Sequence, residues 1–289
     1  MNERDGRLAG AGGLAIHWQA WIPEHSRAVV VIAHGASEHA GRYRHVADRL
    51  VDDGYAVYAI EHRGHGRSEG PRALIDRLDR AVADLDALVQ LAAAEHPGAP
   101  VYLIGHSMGG CIAVSYALEH QDRLSGLVLS APLAALEAAP APMRALAAVL
   151  SAVSPKLPLF AIDASLVSRD PAVVEAYVND PLVHHGKLPV RTVAELAKAI
   201  NAFPERVPSI TVPTLIMYGT ADRLCPPEGS VMLSERIGSG DVTLTPYEGL
   251  YHEIFNEPEQ ERVLEDLSAW LSARVAPVAA PSAQAGPEQ

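Results

Sequence analysis

The chain has 289 residues, of which 48% are hydrophobic, 20% charged and only 5% aromatic, and its formal net charge is −12. Such a length suits one large domain with an insertion, and it buries enough surface to be stable without disulfides. The acidic balance excludes a nucleic-acid partner and electrostatic docking on anionic lipid, while two cysteines, Cys111 and Cys225, are too few for a disulfide framework or a structural zinc site.

The opening residues, MNERDGRLAG, lack the apolar stretch of a signal peptide, and no run reaches the ~18–20 apolar residues that a membrane span requires. The expectation is a cytoplasmic protein with two free thiols. Six short apolar runs follow: Val29–Ala33, Ala56–Ile60, Val101–Gly105, Leu127–Ala131, Thr214–Gly219 and Val242–Tyr247. Most are continuous rather than alternating, so they predict buried strands of a mostly parallel sheet covered by helices on both faces. Ile75, Leu78, Val82, Leu85, Val89 and Ala92 recur at helical spacing, with Asp79, Asp84, Asp86 and Gln90 falling between them on a polar face. A last helix beginning near Pro258 buries Val263, Leu267, Trp270 and Leu271, and the Pro/Ala-rich residues 275–289 read as a disordered tail. Between about Pro132 and Pro208 the alternation breaks. That stretch has many prolines, no good strand, and a helix candidate with Met143, Leu146, Leu150, Val153 and Leu157 at heptad-like spacing. The expected organisation is a core of residues 1–131 and 209–274 with residues 132–208 inserted as a cap. The cap helix either wedges against the core, or lines an acyl channel or makes transient apolar contact with a membrane or lipid droplet.

Val101–Gly110 read VYLIGHSMGG, a strand entering G-x-S-x-G, with a helix predicted over Cys111–His120. In a strand–turn–helix of this kind the serine sits at a strained corner with its hydroxyl exposed above the sheet, as in the α/β-hydrolase fold. Gly105 and Gly109 leave room where side chains would strike the neighbouring strand and the amphipathic helix. Ser107 is the expected nucleophile, and a serine at this corner points to acyl transfer, whereas epoxide hydrolases and haloalkane dehalogenases of this fold carry Asp there.

A serine hydroxyl needs a base, and the base needs a group to fix its tautomer. On this fold the partners follow in the order Ser, acid, His. Of thirteen histidines, His252 lies between the last strand and the last helix, on a loop at a carboxyl end of the sheet. His106 is expected to point away from the exposed side of the turn, and His120, His184 and His185 lie on a helix end or in the cap. Asp222 follows the strand TLIMYG in the loop TADRL, whereas Asp84, Asp86 and Asp266 fall on polar helix faces and read as solvated. The oxyanion donors are expected to be the amides of Met108 and Ala36, the latter in the loop His34-Gly35-Ala36-Ser37. EHRGHGRS (Glu61–Ser68) makes a poor metal site and reads as a structural loop beneath the active site. Cys225, three residues after Asp222, is either a packed thiol or one close enough to the pocket to be sensitive to thiol reagents.

With these residues assembled, the chain resembles the monoacylglycerol lipases, especially bacterial ones with a human-type loop. The resemblance runs from about Gly13 to Arg274 and rests on HGASEHAGRY (His34–Tyr43), EHRGHGRS, GHSMGG (Gly105–Gly110), GTADRLCP (Gly219–Pro226), YHEIFNEPE (Tyr251–Glu259) and the cap segment Ser168–Pro189. Glu61 departs from it, since relatives often have Asp there. The resemblance implies the triad Ser107, Asp222 and His252, oxyanion donors Ala36 and Met108, a lipid substrate, and no metal or organic cofactor. It also implies that Glu38 and Arg42 help hold the glycerol hydroxyls; the alternative for that pair is a surface salt bridge. The rival activities are a lysophospholipase or broad carboxylesterase and, in a different class, a hydrolase-fold binding protein without activity.

Overall fold

The computed structural model describes residues 1–136 and 148–275. Eight strands form one sheet: β1 (Asn2–Ala9), β2 (Ala15–Ile22), β3 (Ala28–Ala33), β4 (Tyr55–Ile60), β5 (Val101–His106), β6 (Gly126–Ser130), β9 (Thr214–Gly219) and β10 (Val242–Tyr247), in the order β1-β2-β4-β3-β5-β6-β9-β10. From β4 to β10 all neighbours are parallel; β1 and β2 form an antiparallel hairpin added at the β4 edge. All six predicted strands are present within a residue or two of their expected bounds, but the hairpin was not anticipated.

Both sheet faces are covered, and strand residues alternate between two cores. Val29, Val31, Tyr58, Leu103 and Leu127 pack with helices α2 (Leu78–Glu95) and α3 (Met108–His120), whereas Val30, Ile32, Val57, Ile104 and Val128 pack with α1 (Arg44–Asp52) and the last helix, Gln260–Ser272. This division explains the continuous apolar runs, because neither parity of a central strand faces water. Helix α3 is buried all round from Met108 to Ala117 rather than on one face. The α5 helix (Val190–Arg206) lies against it and puts Leu196, Ile200 and Phe203 into the same core.

Asp84 also departs from its expected solvated position. It is 1% exposed and accepts hydrogen bonds from Arg63 Nε (2.8 Å) and the Ala11 amide (2.8 Å), an ion pair that sequence separation had hidden. Asp86 and Asp266 accept from the hydroxyls of Tyr116 and Tyr247.

Within the segment expected to form the cap, β7 (Pro158–Phe160) and β8 (Leu188–Pro189) make a short antiparallel ribbon, where no strand was foreseen. Helix α4 (Pro171–Asn179) is capped by the Asp170 side chain and begins with Pro171. Val167, Tyr177 and Val183 form a small core of their own, against which Leu224 of the main body packs. Of the predicted cap helix, Met143 and Leu146 lie outside the described residues, as does the tail from residue 276 onward, while Val149 and Val153 are 58% and 73% exposed. Two further helices are α6 (Pro227–Arg236) and α7 (Gln260–Ser272). No described helix is long and apolar enough to cross a membrane.

Candidate active site

Ser107 stands between β5 and α3 with φ 54° and ψ −119°, a region that side-chain-bearing residues rarely occupy and that costs about 1–3 kcal/mol. The corner is held from several sides. The Ser107 amide donates to the Ser130 carbonyl (3.1 Å), and its carbonyl accepts from the amides of Cys111 (3.1 Å) and Leu133 (3.0 Å). A methyl at Gly109 would strike the carbonyl oxygens of Ala33 and His34 on β3 and the loop after it. One at Gly105 would lie 2.6 Å from Ala113 Cβ of α3, so both glycines permit backbone contacts that any side chain would prevent.

Asp222 and His252, on the loops after β9 and β10, meet at the same rim, where Asp222 Oδ2 lies 2.7 Å from His252 Nδ1. Asp222 Oδ1 accepts from the amides of Leu224 (2.8 Å) and Cys225 (3.0 Å), so both carboxylate oxygens are engaged. Burial opposes charge on Asp222, but His252 and these amides outweigh it and keep the carboxyl below its ordinary value. Burial likewise pushes His252 down, yet the charge and hydrogen bond of Asp222, joined by Glu253 and Glu38, leave the imidazole above its ordinary value. With Nδ1 committed to Asp222, Nε2 is the nitrogen left to exchange protons.

The loop after β3 closes the arrangement. A Cβ on Gly35 would sit 3.1 Å from Ser107 Cβ, so the Gly35–Ala36 backbone passes directly beside Ser107. Met108 opens α3, where the first amides of a helix have no intrahelical acceptor. His106, expected to point away from the exposed side of the turn, is 3% exposed but packs against His252. Its ring is 4.7 Å from that of His252, its Nδ1 lies 3.0 Å from the Ser130 carbonyl oxygen, and burial followed by the proximity of His252 lowers its pKa to about 4.

A family model described as serine aminopeptidase, S33, matches residues 24–259. The chain is 46% identical to a monoacylglycerol lipase of Mycolicibacterium smegmatis over 91% of this chain and 95% of that protein. The chain belongs to the monoacylglycerol lipase family. It is also 38% identical to the human monoglyceride lipase, over 93% of this chain and 90% of that one. The crystal structure of a Paleococcus ferrophilus monoacylglycerol lipase superposes with a TM-score of 0.80 at 32% identity, covering 95% of this chain and all of that one.

In this member of the monoacylglycerol lipase family, Glu38 and Arg42 form no surface pair. Glu38 is 3% exposed, and its Oε1 accepts from the Gly35 amide (2.5 Å) and the Tyr43 hydroxyl (2.7 Å), while Oε2 accepts from Arg42 (2.8 Å). Burial opposes its charge, but Arg42 outweighs that and holds the carboxyl at about 2. Arg42 in turn donates to both oxygens of Glu253, a residue that the sequence reading passed over although it adjoins His252. Cys225 Sγ lies 3.7 Å from Ser107 Oγ, and burial, then Asp222, raises its pKa.

The EHRGHGRS loop is packed beneath these residues. Its His62 and His65 lie against His34, with ring centroids 4.6 and 5.4 Å away. Glu61, fully buried, approaches His17 and accepts from the Arg67 amide. Among the described residues no group of three or more His, Cys, Asp or Glu is placed to hold a metal ion.

Proposed function

We propose that this protein hydrolyses monoacylglycerols to fatty acid and glycerol through an acyl-enzyme on Ser107. The observation that carries the reading is the strained Ser107 corner at the same sheet rim as the 2.7 Å Asp222–His252 pair. Ser107 Oγ attacks the ester carbonyl as His252 Nε2 takes its proton, and Asp222 holds the Nδ1–H tautomer and stabilises the imidazolium. The amides of Ala36 and Met108 donate to the oxyanion. His252 then protonates the departing glycerol oxygen, and a water activated by the same nitrogen releases the fatty acid.

Glu38 and Arg42 belong to the polar end of the site in this reading. Their oxygens and guanidinium are largely committed to Gly35, Tyr43 and Glu253, so they shape the glycerol end chiefly by fixing the oxyanion loop. Residues 132–208 act as the cap over the acyl chain. Exposed Val149, Val153, Leu159 and Phe160 give this cap an apolar outer face that would rest transiently on a lipid surface.

Rates on monoacylglycerol, diacylglycerol, lysophosphatidylcholine and short p-nitrophenyl esters test the substrate. Monoacylglycerol should be turned over fastest; a preference for lysophosphatidylcholine would replace this reading with a lysophospholipase. Failure of folded protein to label with a fluorophosphonate probe would count against catalysis altogether.

A further inference from the structure

We infer that Glu253 is a positioning residue for acyl transfer: its buried two-point pair with Arg42 locks the loop carrying His252 to the loop carrying the Ala36 amide. The inference rests on the triad proposed above. Glu253 is 5% exposed, and its Oε1 and Oε2 accept from Arg42 Nη1 (2.6 Å) and Nη2 (2.7 Å). A fork of this kind fixes orientation as well as distance, because both partners are planar. Arg42 Nη1 also reaches Glu38, whose other oxygen holds the Gly35 amide. One unbroken chain of charged contacts therefore runs from the residue after the general base to the backbone beside the nucleophile.

The same residue is tied to the cap. Its amide donates to the Val167 carbonyl (2.8 Å), its Oε2 accepts from Asn256 (2.9 Å), and the Arg42 guanidinium lies 4.8 Å from the ring centre of Tyr177 in α4. Three elements that must agree in position thus meet at Glu253 and its partner Arg42: the base loop, the oxyanion loop and, through the Glu253 amide and the Arg42 guanidinium, the cap.

Glu253 also contributes to the electrostatics of His252. The groups facing that imidazole are Asp222 from the loop after β9, His106 from the end of β5, Glu38 from the loop after β3, and Glu253 from its own loop, with Arg42 paired to both glutamates. Removing one negative charge from this set lowers the proton affinity of His252.

The test is Glu253→Gln and Glu253→Asp in the full chain, with kcat, KM, thermal unfolding and the pH dependence of kcat/KM measured for each. Glu253→Gln leaves Arg42 paired with Glu38, so no buried charge is stranded. Its kcat should fall about 10–100-fold with KM within about threefold, and its acidic limb should move down by about half a pH unit. Glu253→Asp keeps the charge but is too short to hold both guanidinium nitrogens, so kcat should fall while the limb stays near wild type. Wild-type kcat in both variants overturns the inference. So does a loss that tracks the melting temperature while the limb of Glu253→Gln is unmoved, since that is a structural contact only. His252→Gln, run alongside, separates the two levels: if it remains active, the triad itself is wrong and the role of Glu253 falls with it.

Discussion

The two sides of the candidate site are held by different physics. On the serine side, Ser107 is fixed by backbone shape, with glycines at 105 and 109 admitting a close approach of strand and helix and hydrogen bonds to main-chain groups. On the histidine side, position is set by charge: Asp222 on His252, Glu253 on Arg42, and Arg42 on Glu38. A site built by shape should fail when an atom is added and be indifferent to pH. One built by charge should tolerate shape changes and respond to protons.

The largest expected effect removes the chemistry while sparing both supports. Ser107→Ala should lower ester hydrolysis by about 10⁵–10⁶-fold, as loss of the nucleophile does in other serine triads, and abolish fluorophosphonate labelling with the melting temperature little changed. Retained turnover would mean that another nucleophile acts. Gly109→Ala attacks the shape side directly. Its methyl cannot coexist with the Ala33 and His34 carbonyls, so denaturant unfolding should show a loss of about 3 kcal/mol or more. A variant as stable as wild type would show that the elbow is looser than its contacts imply.

These two sides also differ in how far the sequence reveals them. The elbow is legible because its geometry demands glycines at fixed local spacing, and Gly105, Ser107 and Gly109 announce it within five residues. The parallel strands are legible for a related reason, since burial on both faces produces unbroken apolar runs. The charge side is legible only in part: loop position marks Asp222 and His252, and the family resemblance marks Glu38 and Arg42, but nothing marks the link between them. Arg42 and Glu253 are 211 residues apart, and Glu253 alone reads as an ordinary surface residue. Asp84 was misread for the same reason, because its partner Arg63 lies in a glycine-rich loop ahead of the helix. The β1–β2 hairpin escaped notice because β1 sits at the sheet edge with no fully buried residue, and β2 interrupts its apolar residues with His17 and Gln19.

Protons should reach the charge side first. In the proposed mechanism His252 must be neutral to accept the serine proton, and its surroundings hold it above the ordinary value near ~6.5. Its protonated form gains in the folded site, so the active neutral form is lost on acidification starting from above that value. The acidic midpoint of kcat/KM should therefore lie above about pH 6.5, with about tenfold loss per unit below it; a profile flat to pH 5 would contradict the assignment of the base. Stability has the opposite origin. His34, His62, His65 and His106 are buried, and desolvation lowers their pKa values, to about 3 for His65 and about 4 for His106. For such groups the folded form is favoured above the unfolded value, and that stability is lost from about pH 6.5 downward as protons bind the unfolded chain. The melting temperature should then drop progressively below pH 6, after activity has begun to fall.

The smallest effect tests whether the shape side hides a polar dependence. Cys225 Sγ is the side-chain atom placed against the Ser107 hydroxyl, at 3.7 Å, so it could be taken for a participant. The physics points the other way. Sulfur is a weak hydrogen-bond partner, and burial and the neighbouring Asp222 carboxylate both push the thiol pKa up, so at neutral pH it is uncharged and cannot serve as a base. Cys225→Ala should keep kcat within about threefold, because the backbone contacts that fix Ser107 are untouched. Steady-state kinetics on the purified variant decides it. A loss beyond tenfold would mean that the nucleophile, too, depends on a side-chain partner, and the contrast between a site half set by shape and half by charge would no longer hold.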